Sequence, residues 1–425
     1  MAIHRKTLQC LTCGQKTVTR TTLGNGDYQD CAFPCPKCGI EIGYRIQLHL
    51  NTRLHELTMA GISPQDAFGQ LKDFKPLEFL NIRNAASCEE EASLPVRSFS
   101  DTLLNPAPEQ DIISPFISTA FLPKNRDQFA LHQRIRQAAA TRHWASVRNL
   151  LTHLERKQWD LFDTQWELLE LEGENKSEAA RIKSAFRAIE EWEKVFAPGS
   201  DRDKETVQKR IALGRATSRP LMQELVDFFQ SKAKDESLYR ELVAIRNRWA
   251  EHYVCLSPIY IRFYWDESKH KLDPYSITEK RFEELKFLYV ESFETFCRIS
   301  VIAAGIEGII HKGKVGVPLT NRVMDLTQFE TIANGNKPDM LKQLKITDLF
   351  VPFIDHKLRN GIGHHSAYYD VATDSVFYRV ENANGIQDLK ISYTLFCEKV
   401  VNLYRQLHVV SLYVHWLRQS ALGVM

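Results

Sequence analysis

The chain predicts a mainly α-helical protein with a small, cysteine-rich β unit at its N-terminus. Three observations carry this reading. Beyond residue 143, apolar residues recur at intervals of three and four over long stretches, the period of an amphipathic helix. The first forty residues instead hold five cysteines and short, polar, strand-forming runs. Near the C-terminus, Ser375–Val380 and Ile386–Ser392 flank Asn384-Gly385, a dipeptide suited to a tight hairpin turn.

The N-terminal unit, residues 1–50, rests on two short runs, Cys10-Leu11-Thr12-Cys13-Gly14 and Cys35-Pro36-Lys37-Cys38-Gly39. Two cysteines separated by two residues bring both sulfurs to one side of a turn. A glycine after the second cysteine permits the positive φ that such a knuckle wants. Lys16–Leu23 and Glu41–Leu48 read as strands. The paired pattern resembles a zinc ribbon, which implies a structural Zn2+ held by Cys10, Cys13, Cys35 and Cys38. Cys31 is a fifth candidate in the same unit and an alternative to Cys35. A unit this small buries little apolar surface, so metal would supply its folding energy.

Residues 51–83 read as short helices, broken at Gly61-Ile62-Ser63-Pro64. Residues 84–123 carry Glu89-Glu90-Glu91 and Pro95, Pro106, Pro108, Pro115 and Pro123, and read as a proline-rich linker or strap. Residues 124–216 form a middle helical region. Asn125 or Asp127 caps a helix to Ala140, and His143–Lys157 and Lys176–Phe196 follow. Trp144, Trp159, Trp166 and Trp192 read as core at helical spacing. Lys209, Arg210, Arg215 and Arg219 read as a solvated face, with a nucleic-acid-facing stripe as the alternative. Residues 217–425 form a helical bundle with the hairpin beside it. Its helices are Leu221–Ala233 (started by Thr217 or Ser218 before Pro220), Ser237–Val254, Thr278–His311, Ile346–Arg359 and Tyr393–Leu417.

At 425 residues the chain is long enough for two or three domains with cores of their own. A net charge of +2 excludes a global basic field, so any nucleic-acid site must be a local patch. The best candidate for a membrane span, Gln406–Leu417, is too short for a bilayer and holds His408 and His415. The first residues lack the apolar core of a signal peptide. Nine cysteines, an odd number crowded toward the start, fit metal binding in a reducing compartment better than a disulfide framework. A cytoplasmic protein is the expectation.

The run Leu358-Arg359-Asn360-Gly361-Ile362-Gly363-His364-His365 carries the chemistry. Arginine holds phosphate through a planar fork, and histidine moves protons near neutral pH. Gly361 and Gly363 are expected to loosen the helix that ends at Arg359 and let backbone or substrate come close. The spacing resembles the R-N-x-x-x-H signature of the HEPN superfamily, all-helical domains many of which cut RNA without a metal. The resemblance implies an endoribonuclease in which Arg359 stabilises the phosphate, Asn360 orients it or meets the ribose, and His364 transfers a proton. His365 also falls within the permitted spacing. The same resemblance implies a homodimer formed through the bundle, an RNA substrate, and roles in toxin, stress or antiviral defence systems, with a regulatory protein partner as a further expectation. The ribbon and the middle helices would then be control parts.

Arg246, Asn247 and His252 repeat the pattern with one more residue in the gap. On a continuous helix Arg246 and His252 lie about 240° apart at about 100° per residue, so they meet only across a helix end or kink. If real, this second motif lets one chain build a composite site; otherwise two chains must pair. His356 is one turn before Arg359 and shares its groove or merely sits on the surface. Tyr368 and Tyr369 would stack a base or simply pair strands. A G-x-S-x-G elbow, H-E-x-x-H, a Walker loop and a dinucleotide fingerprint are all absent from the sequence. The rival readings are a non-catalytic HEPN-like dimerisation protein and a nucleic-acid-binding regulator that reads through its ribbon.

Overall fold

The computed structural model describes residues 3–22, 28–48, 77–88, 94–100, 105–106, 143–169, 177–196, 200–231, 234–256, 259, 275–276, 281–319, 321–343, 354–382 and 385–421. Helices dominate, accompanied by small sheets that are almost wholly antiparallel. The chain divides into two compact units, both discontinuous in sequence. One comprises Met1–Arg134, Val254–Glu283 and Ser366–Glu398; the other comprises Ile135–Tyr253, Glu284–His365 and Lys399–Met425. The segment 217–425 therefore contributes to both.

In the first unit, alternation along the strands sets the packing. β1 (Ile3–Cys10) pairs with β2 (Lys16–Thr22), and β3 (Tyr28–Pro34) pairs with β4 (Glu41–Leu48), both antiparallel. β5 (Leu77–Arg83) adds to β4, β6 (Ala85–Cys88) adds to β1, and β7 (Val96–Ser100) runs parallel to β2. Leu8 and Cys10, then Cys31 and Phe33, then Ile42, Tyr44 and Ile46 are every second residue of their strands, and with Cys35 just past the end of β3 they form one buried cluster. Thr21 and Tyr44 join the two sheets through a 2.9 Å hydroxyl contact.

Two expectations are corrected here. Leu77–Arg83 lies in a strand, not among short helices, and parts of the supposed linker, Ala85–Cys88 and Val96–Ser100, are strands as well. The cause is the open edges of β1, β2 and β4, which satisfy their backbone groups by taking up these segments. The break at Gly61–Pro64 and the helix proposed from Asn125 or Asp127 to Ala140 lie outside the described residues. The predicted hairpin is present: β9 (Ser375–Asn382) and β10 (Gly385–Ser392) are antiparallel, and β8 (Tyr368–Asp370) extends them to three strands.

The described part of the second unit is built mainly from helices. In chain order these are α1 (Trp144–Glu155), α2 (Trp159–Leu168), α3 (Glu178–Phe196), α4 (Ser200–Thr217), α5 (Arg219–Gln230) and most of α6 (Lys234–Leu256). After them come nearly all of α7 (Phe282–Lys312), α8 (Leu326–Thr331), α9 (Lys337–Gln343), α10 (His356–Gly363), and α11 (Tyr393–Ala421) from Lys399 on. Ser218 begins α5 as expected: its side chain caps Leu221 N–H, and Pro220 stands in the first turn. On α3, Ile182, Ala185, Phe186, Ile189, Trp192 and Phe196 form one buried stripe. Trp144 packs on Trp192, and Trp249 stacks flat on Tyr404 with ring centroids 3.9 Å apart. Trp144, Trp166 and Trp192 are thus core, as their spacing predicted.

The helix expected over Ile346–Arg359 is shorter at its start and longer at its end. Residues 344–353 lie outside the described set, and Ile354 and Asp355 are not helical. α10 starts after Asp355, whose carboxylate caps Leu358 N–H at 3.0 Å, and continues through both glycines to Gly363. An aspartate with an open backbone N–H three residues on is a stronger start signal than the upstream apolar pattern.

Candidate functional sites

Both cysteine knuckles are built alike. Gly14 N–H donates to Cys10 O, and Gly39 N–H donates to Cys35 O, each at 2.9 Å. Cys10 and Cys35 donate in turn to Gln15 O and Ile40 O, each at 2.8 Å. Gly14 and Gly39 hold φ of +71° and +74°, the conformation the sequence asked of them. The four sulfurs converge, all within 4.8 Å of one another, with Cys10 3.7 Å from Cys38 and Cys13 3.6 Å from Cys35. Cys31 does not belong to this group; it is buried in β3 among the apolar cluster.

The thiols feel one another. Burial works to raise Cys10, but backbone N–H groups of Cys13 and Thr12 and the neighbouring thiols leave it lowered to about 7. At Cys38 the backbone N–H of Ile40 works downward, yet burial and the thiols of Cys13, Cys35 and Cys10 push it up to about 12. Four thiolates this close repel unless a cation sits among them. The chemistry of the set is that of a metal site closed by four protein ligands.

In the second unit, α10 presents Arg359 and Asn360. Arg359 Nε donates to Glu294 Oε1 at 2.6 Å, and Nη2 reaches the same carboxylate. Nη1 donates to Asn360 Oδ1 at 3.1 Å. The guanidinium lies along the helix over Gly363, where an added Cβ would stand 3.8 Å from Nη1. Glu294, on α7, gives its other oxygen to the Asn334 amide. Asn334 is held in turn by the Cys297 thiol, which donates to its carbonyl at 3.3 Å. Burial keeps Cys297 well above the usual thiol range, so it remains a donor.

The helix bearing Arg359 is itself anchored. Tyr289 OH donates to Asp355 O at 3.1 Å, and Lys399 Nζ sits 3.0 Å from the Asp355 carboxylate. Burial works to raise Asp355, but the Leu358 N–H and Lys399 hold it below its ordinary value. His364 caps the C-terminus, with its N–H on Asn360 O at 2.9 Å. His365 follows in the left-handed region at φ +55°. Both imidazoles are exposed, so Arg359, Asn360, His364 and His365 share one helix end.

Arg246 and His252 do not come together. Arg246 is 1% exposed; its Nε donates to Glu193 at 2.7 Å and its Nη2 to His415 Nε2 at 3.2 Å. His408 completes this buried cluster, 2.8 Å from the second Glu193 oxygen. Asn247 accepts from the Trp144 indole at 2.6 Å, and His252 Nδ1 lies 3.4 Å from Glu284. The helical period had put Arg246 and His252 on different faces of α6, and α6 is unbroken between them.

Glu294 and Asn334 were not legible in the sequence. Each lies far along the chain from Arg359, and only packing pairs them. Tyr368 stacks on Phe377 at 5.3 Å, and Tyr369 OH donates to Asp374 at 2.7 Å, so both serve the three-stranded sheet. Lys209 and Arg210 of the charged stripe are paired, with Glu205 and Glu307. No helix among the described residues is long and apolar enough to cross a membrane. Compared with protein-family models, curated proteins and solved structures, the chain matches none of them.

Proposed function

We propose that this protein is a HEPN-type endoribonuclease that cuts RNA by attack of a ribose 2′-hydroxyl on the adjacent phosphate, leaving a 2′,3′-cyclic phosphate. The observation that carries the reading is Arg359 pre-set by Glu294 and Asn360 at the helix end where His364 stands exposed. A guanidinium locked on two sides offers its remaining N–H groups in a fixed direction, which suits an oxyanion whose charge grows in the transition state. His364 takes or gives the proton, with His365 as the alternative. The nucleophile belongs to the substrate, so the scheme calls on no metal.

One imidazole cannot serve as both base and acid in a single step. The buried Arg246 is committed to Glu193 and His415, so we assign the second proton-transfer group to another copy of the chain, in a homodimer. Roles in toxin, stress or antiviral defence and a cytoplasmic location belong to the same reading.

Zinc fits the cysteine cluster. Bonds of about 2.3 Å in a tetrahedron set sulfurs about 3.8 Å apart, close to the 3.6 and 3.7 Å contacts seen. Bound there, Zn2+ would staple the knuckles and take no part in cleavage.

The test compares wild type, Arg359→Ala and His364→Ala on labelled tRNA and total RNA in EDTA. Cleavage by wild type alone, with cyclic phosphate ends, is the expected result, and each variant should lose about 10²–10⁴-fold in rate. The rival is a non-catalytic interaction protein, and one observation favours it: Glu294 neutralises much of the Arg359 charge. Wild type that cleaves no RNA, and whose expression is no more toxic than that of the two variants, would decide for the rival.

A further inference from the structure

The hairpin sheet of the first unit runs in the order β8-β9-β10, so β10 is an edge strand. Its register with β9 fixes where its backbone points. Tyr393 N–H donates to Asp374 O at 3.0 Å, one step beyond the Ser375–Ser392 pair. Hydrogen-bonded and open pairs alternate along an antiparallel ladder. Val376 with Ile391, Tyr378 with Leu389 and Val380 with Gln387 are therefore the bonded pairs. Ile386, Asp388 and Lys390 fall in the open pairs, so their N–H and C=O groups point away from β9. The opposite strand agrees: the carbonyl of Arg379, across from Asp388, turns the other way and accepts from the Ser366 hydroxyl at 3.1 Å. Among the described residues, the outward backbone groups of Ile386, Asp388 and Lys390 meet no backbone partner. The strand is open to solvent over Gly385–Asp388 and at Lys390, and Ile386 is 66% exposed.

Edges that must stay single carry proline, a bulge, or charges that repel a second strand. β10 has no proline, and its register with β9 runs without a bulge. Its charges, Asp388 and Lys390, are of opposite sign and stand two residues apart on one face. Each has a neighbour within the sheet: Asp388 accepts from Arg379 Nε at 2.8 Å, and Lys390 lies over the Phe377 ring at 5.3 Å. Neither is used up by that neighbour. The Asp388 side chain is 69% exposed, Lys390 is exposed, and a carboxylate or an ammonium takes several partners at once.

We propose that β10 is the surface on which a second copy of this chain docks, β10 against β10, antiparallel, about a two-fold axis at Leu389. This register sets Asp388 opposite Lys390 of the second copy and Lys390 opposite its Asp388, and the outward backbone groups of both strands meet. Moving the axis to Asp388 or to Lys390 would set like charges directly opposite each other, which destabilises a sheet. Each Asp388 carboxylate then lies between Arg379 of its own sheet and Lys390 of the other. The same patch serves both copies, so the assembly closes at two, and only the three-residue β8 remains at each new edge. An unrelated peptide would satisfy the backbone but leave this self-complementary charge order unexplained. A single edge of eight residues makes a modest interface, so the association is reversible. This pairing differs from one through the helical bundle, which the HEPN resemblance implies, and it does not rest on RNA cleavage.

The test is analytical ultracentrifugation of the full-length protein across micromolar concentrations, with Asp388→Lys and Lys390→Asp as variants. Both positions are exposed, so both variants should fold, which circular dichroism checks. Wild type should self-associate. Either variant alone sets like charges across the two-fold and should associate about tenfold more weakly or worse. An equimolar mixture of the two variants restores both opposite-charge pairs, and association should return to the wild-type level. Wild type that stays monomeric throughout overturns the proposal. So does association that neither variant weakens, which would place the contact elsewhere, or weakened association that mixing does not restore. These masses need no RNA: a chain that pairs through β10 without cutting RNA would sink the ribonuclease reading alone, and one that cuts RNA without this pairing would sink the β10 proposal alone.

Discussion

The sequence marks Arg359 as a candidate phosphate-holding residue, but its carboxylate partner, Glu294, is not legible there. Glu294 sets the direction of the guanidinium and also competes with any phosphate for it. Glu294→Gln should therefore keep the fold, at a cost of about 1 kcal/mol for a partly buried pair, while altering the proposed RNA cleavage far more than stability. Single-turnover rates beside urea unfolding curves check this; equal loss in both would make the pair merely structural. The buried cluster behaves differently. Arg246→Met takes the arginine from buried Glu193, leaving it only the His408 contact, and should destabilise by about 3–5 kcal/mol, read from denaturant midpoints. His415 adds a pH signature. Its folded value is depressed to about 3, below the ordinary value near 6.5. The unfolded chain then binds the extra proton, so stability falls as pH drops from about 6.5 toward 3. Glu193 acts in the same sense. Burial works to raise it, but Arg246 and His408 hold it well below 4.5, and its contribution is lost as pH falls below that value. His415→Gln should flatten the slope measured by urea unfolding between pH 7 and pH 5; an unchanged slope would remove His415 from the account.

At the scale of the element, caps and close approaches matter more than periodicity. Asp355 fixes where α10 begins, and the positions of Arg359 and His364 follow from that start. The glycines at 361 and 363 do not break the helix, because Asp355, Tyr289 and Lys399 anchor its other end. Gly308 on α7 has a sharper role. A Cβ there would stand 1.9 Å from the Gly316 carbonyl oxygen, a backbone atom that cannot swing aside. Gly308→Ala should cost about 1–3 kcal/mol or more, seen as a lowered Tm. Gly363→Ala meets only ordinary contact and should be nearly silent in stability. The strands β5, β6 and β7 show the converse of capping. Their residues have weak signals of their own and become strands because neighbouring edges offer hydrogen bonds.

For the whole molecule, the two units draw on different sources of stability. The first joins small sheets around a cluster that includes Cys10 and Cys35, so the cysteine site and the core share residues. The second is a large helical assembly with a stacked aromatic interior. Cys10→Ser or Cys38→Ser should lower zinc stoichiometry and loosen the first unit while far-UV helicity persists. Full retention of zinc in both variants would count against the four-cysteine ligand set.

What the sequence determined by itself was local. Knuckle spacing, glycine at positive φ, strand alternation in β2 and β4, the Ser218 start, the hairpin and the amphipathic helices each follow from residues close together in the chain. Tertiary structure decided what pairs across long separations. It set Glu294 on Arg359, buried Arg246 between Glu193 and His415, placed β5 on β4, and brought α3, α4 and α11 around one cleft. The reason is that backbone propensity and turn geometry act over a few residues, whereas the partner of a charge or a sheet edge is whichever group the packed core brings within reach.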